Sequence, residues 1–445
     1  MNKNDLTQGN LWKRILLFSL PLMLSNVLQV LFNMADIAVV GRFAGSAALG
    51  SVGSTSILIA LFTGILIGMS CGVNVLVALH YGAKKPKDVM ETVHTSIIVC
   101  LILGLLLLIT GVTFARNILQ ILNTKEELMD GAEKYLQIYF LGMPALALYN
   151  FGNGVYSAVG ETRKPLMYLA VAGVVNVVLN LILVIGFHMD VEGVAIASVI
   201  SQYISAILVL GSLLKVKDSY GLSFKKLRLH RDKVKAILTI GIPSSFQYAI
   251  FQIANLFVQV GVNSFDAVMV EGNSAAANAD ALVYDVMAAF YTACSSFMSQ
   301  NYGARKKDRV LKSFWISVAY SFGIGMVMGL TLVVFGEAFL ALFTKDAVVI
   351  QAGMKRLTIM GVSYGVSAFM DAAIAACRGL GKSVVPTIIV IMGSCVFRVI
   401  WVYTVFAYFK TIPSLYLLYI FSWTITAVAE MIYFAIIYRK QMAAM

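Results

Sequence analysis

Long apolar runs recur from one end of the chain to the other, and they restrict its fold more than any other feature. The run IIVCLILGLLLLITGV, from Ile97 to Val112, has no charged residue and is too long and uniform for a soluble core strand or helix. No run shows the period-2 alternation of a membrane β-barrel. We therefore predict an all-α polytopic membrane protein with twelve transmembrane helices. The predicted spans cover residues 13–40, 48–80, 89–113, 131–159, 165–186, 192–214, 234–262, 275–301, 310–335, 348–377, 384–409 and 413–438.

The composition agrees with a membrane protein and argues against other classes. Hydrophobic residues make up 60% of the chain and charged residues 13%, whereas a soluble chain is about a quarter charged. The net charge of +12 does not predict nucleic-acid binding, because the basic residues cluster at the ends of apolar runs. The spans contain no H-E-x-x-H or G-x-S-x-G motif, so we do not expect an enzyme. The five cysteines form no C-x-x-C pair, so we expect no metal site or disulfide from them.

The distribution of lysine and arginine sets the expected orientation. If the N-terminus is cytoplasmic, 25 of the 34 basic residues fall on the cytoplasmic side, beginning with Lys3, Lys13 and Arg14, and eight fall outside. The remaining one, Arg398, lies in the middle of a span. Because cytoplasmic loops are enriched in Lys and Arg, we predict a multi-pass plasma-membrane protein with both termini in the cytoplasm.

The chain also contains an internal repeat. HYGAKKPKDV, residues 80–89, recurs as NYGARKKDRV at an offset of 221, and LNTKE, residues 122–126, recurs as LFTKD at an offset of 220. Six spans per copy is an even number, so both copies enter the membrane from the same face, as in parallel transporter repeats. We predict two pseudo-symmetric six-helix bundles, at 1–214 and 234–445, joined by a cytoplasmic linker at 215–233.

Polar residues form a stripe along the first predicted span. Asn26, Gln29, Asn33 and Asp36 follow a spacing of i, i+3, i+7 and i+10, which places them on one face of a helix. For Asn and Gln, the ordinary interpretation is hydrogen bonding between helices. An ionised group at mid-bilayer costs about 2.5 kcal/mol or more and usually marks an ion or proton pathway. Asp36 is therefore a candidate ion-binding residue, and a structural ion pair with Arg42 is the alternative.

Other polar residues inside the predicted spans are left with two interpretations. Asp285 and Asp371 are either functional or neutralised by Arg398, and Glu430 lies deep in the last span without a partner in the sequence. Asp280 is expected to be solvated near an outer loop. Pro21 is either a hinge or a tolerated membrane proline. The candidates for a substrate cavity are Gln29, Gln252, Asn255, Asp285, Asp371 and Arg398.

Three segments together resemble the multidrug and toxic compound extrusion (MATE) transporters of bacteria. They are DLTQGNLWKRILLFSLPLMLSNVLQVLFNMADIAVVGRFAG at residues 5–45, SQNYGA before span nine and CRGLGKSVVP after span ten. The resemblance implies two six-helix bundles that export organic, often cationic, molecules in exchange for protons or sodium ions. It places the coupling aspartate at Asp36, the helix-bending proline at Pro21, a fifth-span polar pair at Asn176 and Asn180, and a sixth-span hydroxyl at Ser198.

One difference from some members of that family concerns the coupling ion. They carry a second carboxylate in the fifth span, where this chain has Asn180. Hard cations favour several anionic or carbonyl oxygens, so this difference weakens a sodium site at Asp36, Asn176 and Asn180 without excluding it. We expect Asn33, Asn176, Asn180 and Ser198 to surround Asp36, whichever ion binds.

The expected function is a secondary active antiporter that works by alternating access, with a lipid-linked or natural-product flippase as the alternative. A flippase that grips a pyrophosphate needs several cations in its cavity, and only Arg398 is clearly mid-span. A channel is disfavoured because the spans carry no charged ring. We expect a monomer whose partners are small-molecule drugs or metabolites and the lipid bilayer. No nucleic acid and no cofactor other than the coupling ion are expected.

Overall fold

Helices account for nearly all of the chain in the computed structural model, which describes residues 5–122 and 124–445 apart from the side chain of Ser46. Within these residues, eleven helical segments are long and apolar enough to cross a membrane. Lys3 of the expected cytoplasmic set and Asn123 of the LNTKE motif lie outside the described residues. The α-helices are α1 Leu11–Val39, α2 Ser46–Gly82, α3 Pro86–Ile121, α4 Glu126–Phe140, α5 Met143–Ala158, α6 Arg163–Asn180, α7 Val191–Leu214, α8 Arg231–Val262, α9 Ala267–Gly303, α10 Lys307–Leu340, α11 Ala347–Gly379, α12 Val384–Val390, α13 Phe397–Trp401, α14 Ala407–Phe409 and α15 Ile412–Ala443.

The predicted fourth span, 131–159, consists of two helices. It begins inside α4 and continues through α5 after a turn at Leu141 and Gly142. The backbone N–H of Leu141 and of Gly142 donate to carbonyls three residues back, and Pro144 in the first turn of α5 has no N–H to donate. Together α4 and α5 take the place of the predicted fourth span, in addition to the eleven long helical segments.

Among the described residues, four short π-helical segments interrupt or extend the membrane helices. Such segments are rare and often occur at functional sites, because the extra residue rotates the side chains that follow. They are Val40–Ala44 after α1, Leu181–Gly186 after α6, and Ile391–Val396 and Val402–Phe406 on either side of α13.

Contacts along the chain divide it into two compact units, and the division passes through two helices. Unit 1 contains Leu24–Ser245, and unit 2 contains Asp5–Met23 and Phe246–Met445. The start of α1 therefore belongs to unit 2, and the start of α8 belongs to unit 1. These bounds differ from the domain bounds predicted at 214 and 234, because the first turns of α8 pack closely on α2. A Cβ on Gly68 of α2 would overlap the backbone of Ser245, whose Oγ donates to the Ile65 carbonyl at 2.8 Å.

The repeated HYGA and NYGA motifs place one anchoring residue in each unit at equivalent positions. In unit 1, Asp88 accepts from Lys233 Nζ at 2.5 Å and so fixes the start of α8. In unit 2, Arg309 donates to the carbonyls of Gly9 at 2.9 Å and Leu6 at 3.2 Å, just before α1. Arg309 thus holds the residues just before α1, and Asp88 holds the first turn of α8.

In unit 2, α11 approaches both α9 and α10 through small residues. A Cβ on Gly329 of α10 would overlap the carbonyl of Gly361 on α11, and a Cβ on Gly272 of α9 would lie 2.6 Å from the Gly353 nitrogen. Small residues allow this close packing of helices in a membrane. Large apolar side chains, among them Ile109 and Val334, are exposed on the outside, as expected for surfaces that face lipid.

Candidate functional site

Four of the predicted coupling residues form one hydrogen-bonded network in unit 1. Asn180 Nδ2 donates to Asp36 Oδ1, and Ser198 Oγ donates to Asp36 Oδ2 at 3.3 Å. Asn180 Nδ2 also lies 3.2 Å from Asn176 Oδ1, and Asn176 Nδ2 lies 3.4 Å from Ser198 Oγ. The network joins α1, α6 and α7, and each oxygen of the carboxylate is bound by one neutral donor.

Local helix geometry explains how these side chains meet. Asn176 and Asn180 are one turn apart on α6, and Asn180 is its last residue before the π-helical segment Leu181–Gly186. Gly173, one turn earlier, has no side chain, and a Cβ there would overlap the ring of Phe32 on α1. The missing side chain lets α1 come close enough for Asp36 to reach both neighbouring helices.

Most of the network is buried, and its one charged side chain lacks a basic partner among the described residues. Asn180 is fully buried, Asn176 and Ser198 are nearly so, and Asp36 is partly buried. Asp36 takes part in none of the ion pairs of the described residues. Arg42, its alternative partner from the sequence, is exposed and lies 5.9 Å from the ring of Phe43. Asn180 Oδ1 is buried without a hydrogen-bond partner among the described residues.

Two tyrosines near the network were missed by the sequence reasoning. Tyr135 and Tyr139 on α4 stack with ring centroids 5.9 Å apart, and the charge of Asp36 acts on both. Their one signal in the sequence is the i, i+4 spacing. Conversely, Asn33 and Gln29 lie on the same helix as Asp36, but both are exposed and neither hydrogen bonds to it in the described contacts.

Arg398 is the centre of a second polar site, which lies in unit 2. It is 2% exposed, and its Nη1 donates to Asn255 Oδ1 at 3.2 Å while its Nε donates to Ser422 Oγ at 3.3 Å. Its guanidinium lies over Tyr419 at 4.6 Å, with the rings of Phe251 and Trp423 within 5.9 Å. Aromatic faces attract a desolvated cation, so the protein itself encloses this charge.

Of the other predicted cavity residues in unit 2, Asn255 and Asp371 interact with Arg398. Asp371 is buried, and its charge and that of Arg398 act on each other without an ion pair within 4 Å among the described residues. Asp285 and Gln252 are partly buried. The structure thus brings Asn255 into contact with Arg398, places Asp371 within its electrostatic reach, and leaves the pairing of Asp285 open.

The expectation that Asp280 is simply solvated is wrong. Its carboxylate forms an ion pair with Arg356, which is only 6% exposed, and it accepts a hydrogen bond from the Tyr364 hydroxyl. Arg356 Nη1 also donates to Asn273 Oδ1 at 2.5 Å. These partners are 76 to 84 residues apart in sequence, so spacing along one helix could not indicate them.

A family model described as MatE matches the chain twice, at residues 21–182 and 243–404. The chain belongs to the MATE family. The two matches begin at Pro21 and Pro243, which agrees with the internal repeat. MATE proteins are multidrug efflux transporters, so the chain is a polytopic membrane protein of a transporter family.

Two curated relatives and one solved structure illustrate the similarity. The "Probable multidrug resistance protein YpnP" of Bacillus subtilis (strain 168) is 27% identical over 82% of this chain and 81% of its own length. An "FAD transporter" of Shewanella oneidensis is 22% identical over 82% of this chain and 81% of its own. The structure of a MOP superfamily transporter from Pyrococcus furiosus superposes with a TM-score of 0.93, at 20% identity and 99% coverage of both chains. The architecture is therefore that of a MATE transporter.

Proposed function

We propose that this MATE protein is a secondary active antiporter that exports organic compounds in exchange for an ion bound at Asp36. The observation that carries the proposal is a carboxylate bound only by neutral donors. A carboxylate in a low-dielectric site is stable when its charge is cancelled. Because Asp36 has no basic partner in the described residues, an ion from solution is the group that would cancel it.

A proton fits the network through a simple exchange of hydrogen-bond roles. An ionised carboxylate only accepts, whereas a protonated one also donates. Asn180 now offers its Nδ2 to Asp36 and keeps a buried Oδ1 without a partner. Rotation of the Asn180 amide would present Oδ1 to a protonated Asp36. The same residue can therefore serve both states of the carboxyl group.

A sodium ion is the alternative coupling ion. Asp36, Asn176 Oδ1, Asn180 Oδ1 and Ser198 Oγ would offer it one charged and three neutral oxygens. A single carboxylate is a weak set for a hard cation, so the proton is favoured. Among the described residues, no group of three or more His, Cys, Asp or Glu side chains is placed to bind a metal ion.

Ion binding would reach the rest of the protein through α1. The helix carries Asp36 in unit 1, while its first turns belong to unit 2. Gaining or losing an ion changes which partners Asp36 keeps, and a change in the preferred partners shifts a conformational equilibrium. Pro21 lies two residues before the point where α1 passes from one unit to the other, which is a suitable place for a hinge.

The proposed cargo is a drug-like or metabolic organic compound, cationic or amphiphilic, carried across the plasma membrane by a monomer with cytoplasmic termini and no other cofactor. The flippase alternative has less support, since Arg398 is enclosed by three rings of its own unit. Proteoliposomes with proton and sodium gradients imposed separately test the proposal. We expect a proton gradient to drive ethidium against its own gradient, whereas movement of a fluorescent lipid-linked sugar and not of ethidium would favour the flippase. No concentrative transport under either gradient would overturn the antiporter.

A further inference from the structure

The last long helix of unit 2 carries a carboxyl group that the proposed function does not use. Glu430 lies in the middle of α15 and is 0% exposed. Neither of its carboxylate oxygens has a hydrogen-bond partner among the described residues. No other carboxyl group of the described residues combines complete burial with two unpartnered oxygens.

The titratable groups that interact with Glu430 are Asp371, Cys377 and Arg378 on α11 and Tyr433 on α15 itself. The interrupted helix 384–409 also packs against α15, and it carries Cys395 and Arg398. The charges of Arg378 and Asp371 act on Glu430, and that of Glu430 acts on Cys377. None of these groups forms an ion pair or hydrogen bond with Glu430 within the described residues.

Arg378 is the one neighbouring cation that could change its partner. It is partly exposed at the end of α11, and its Nη2 donates to Gln247 Oε1 on α8 at 2.5 Å. Its Nε is buried and has no hydrogen-bond partner among the described residues. Arg378 therefore has an unused donor and lies within electrostatic range of a carboxyl group that has no donor.

The cost of burial decides the state of Glu430 in this conformation. An ionised carboxylate without a hydrogen bond or a paired cation costs several kcal/mol in a protein interior. A neutral carboxylic acid avoids most of that cost, since only an uncharged polar group is buried. The geometry is thus that of a carboxyl group carrying a proton.

We propose that Glu430 is a second proton-binding site, located in unit 2, which releases its proton when Arg378 exchanges Gln247 for the Glu430 carboxylate. The O–H bond of Glu430 breaks, the proton leaves to solvent, and the carboxylate left behind pairs with the guanidinium. Arg378 lies in the part of the chain expected on the cytoplasmic side, so release would be to the cytoplasm. The use of this proton in transport rests on the proposed antiport function, whereas the proton-binding site itself does not.

Infrared difference spectroscopy on the purified full-length protein tests the site without any transport. We expect the C=O stretch of a protonated carboxylic acid, lost in Glu430→Gln and retained in the control Glu337→Gln, whose carboxyl is exposed on α10. We also expect Arg378→Gln to retain the band at pH values where the wild type has lost it, because the cation that replaces the proton is gone. This second variant decides the question if Glu430→Gln does not fold. A band unchanged in Glu430→Gln, or one insensitive to Arg378→Gln, would overturn the proposal.

Transport then separates this site from the one at Asp36. With two proton sites, Glu430→Gln should halve the number of protons moved per ethidium in proteoliposomes and leave coupling through Asp36 in place. An unchanged proton count would contradict a role in transport for Glu430. Full coupling in Asp36→Asn would refute the proposed function and would leave the spectroscopic result at Glu430 intact.

Discussion

Replacing Asn180 by aspartate should convert the Asp36 network into a stronger sodium site. Asn180 is fully buried, and its amide donates directly to Asp36. Asn180→Asp removes that donor and adds a second carboxylate of nearly the same size. A cation placed between the two carboxylates would then contact two negative groups instead of one.

Coulomb's law gives the magnitude of the expected change. A sodium ion about 4 Å from the added carboxylate gains roughly 4 kcal/mol at an effective dielectric constant of about 20. Part of the gain is offset because the two carboxylates compete for a proton when no sodium is bound. We expect a net gain on the order of 1 to 2 kcal/mol, which is about tenfold in affinity.

The assay is ethidium transport in proteoliposomes as a function of sodium concentration, without a proton gradient. Asn180→Asp should lower the half-saturating sodium concentration about tenfold. Asn33→Asp is the matched control, since it adds the same charge one turn from Asp36 but outside the hydrogen-bonded network. The reasoning is refuted if the two variants respond alike to sodium, or if Asn180→Asp behaves as the wild type does.

Three further predictions concern stability. Gly173→Ala should overpack the contact with Phe32 and lower the free energy of unfolding by roughly 1 to 3 kcal/mol, so both the melting temperature and the transport rate should fall. Gly211→Ala, whose Cβ would meet nothing within 4 Å, should lower neither. Arg356→Met should cost about 3 to 5 kcal/mol, because it leaves Asp280 without its cation; adding Asp280→Asn should restore much of the melting temperature, and no restoration would argue against the ion pair. Asn301→Ala removes the side-chain donor to the Leu6 carbonyl and should speed proteolytic cleavage before α1, a change that limited proteolysis would detect.

The helices could be predicted because each membrane span must satisfy its own backbone in an apolar run. The break between α4 and α5 could not, since Pro144 alone does not show whether a helix bends or ends. Asp36 was identified because an ionised carboxylate is costly inside a membrane span. Its partners Asn176, Asn180 and Ser198 came from family resemblance, because packing between helices leaves no spacing signal in one sequence.

Long-range pairings were the part that the sequence could not supply. Arg356 and Asp280 are 76 residues apart and lie on different helices, so their ion pair depends on how α9 and α11 pack. The sequence likewise could not show that α1 and α8 are each divided between the two units. This division depends on glycines such as Gly68, whose role appears only when the neighbouring backbone is known.

Gradient-driven ethidium transport by Asp36→Asn tests the central claim most directly. The variant keeps the shape of the side chain and removes its charge, and Asp190→Asn, at an exposed aspartate before α7, is the matched control. The account predicts that Asp36→Asn loses accumulation under an imposed proton gradient while the control keeps it. Undiminished accumulation by correctly folded Asp36→Asn would contradict the account.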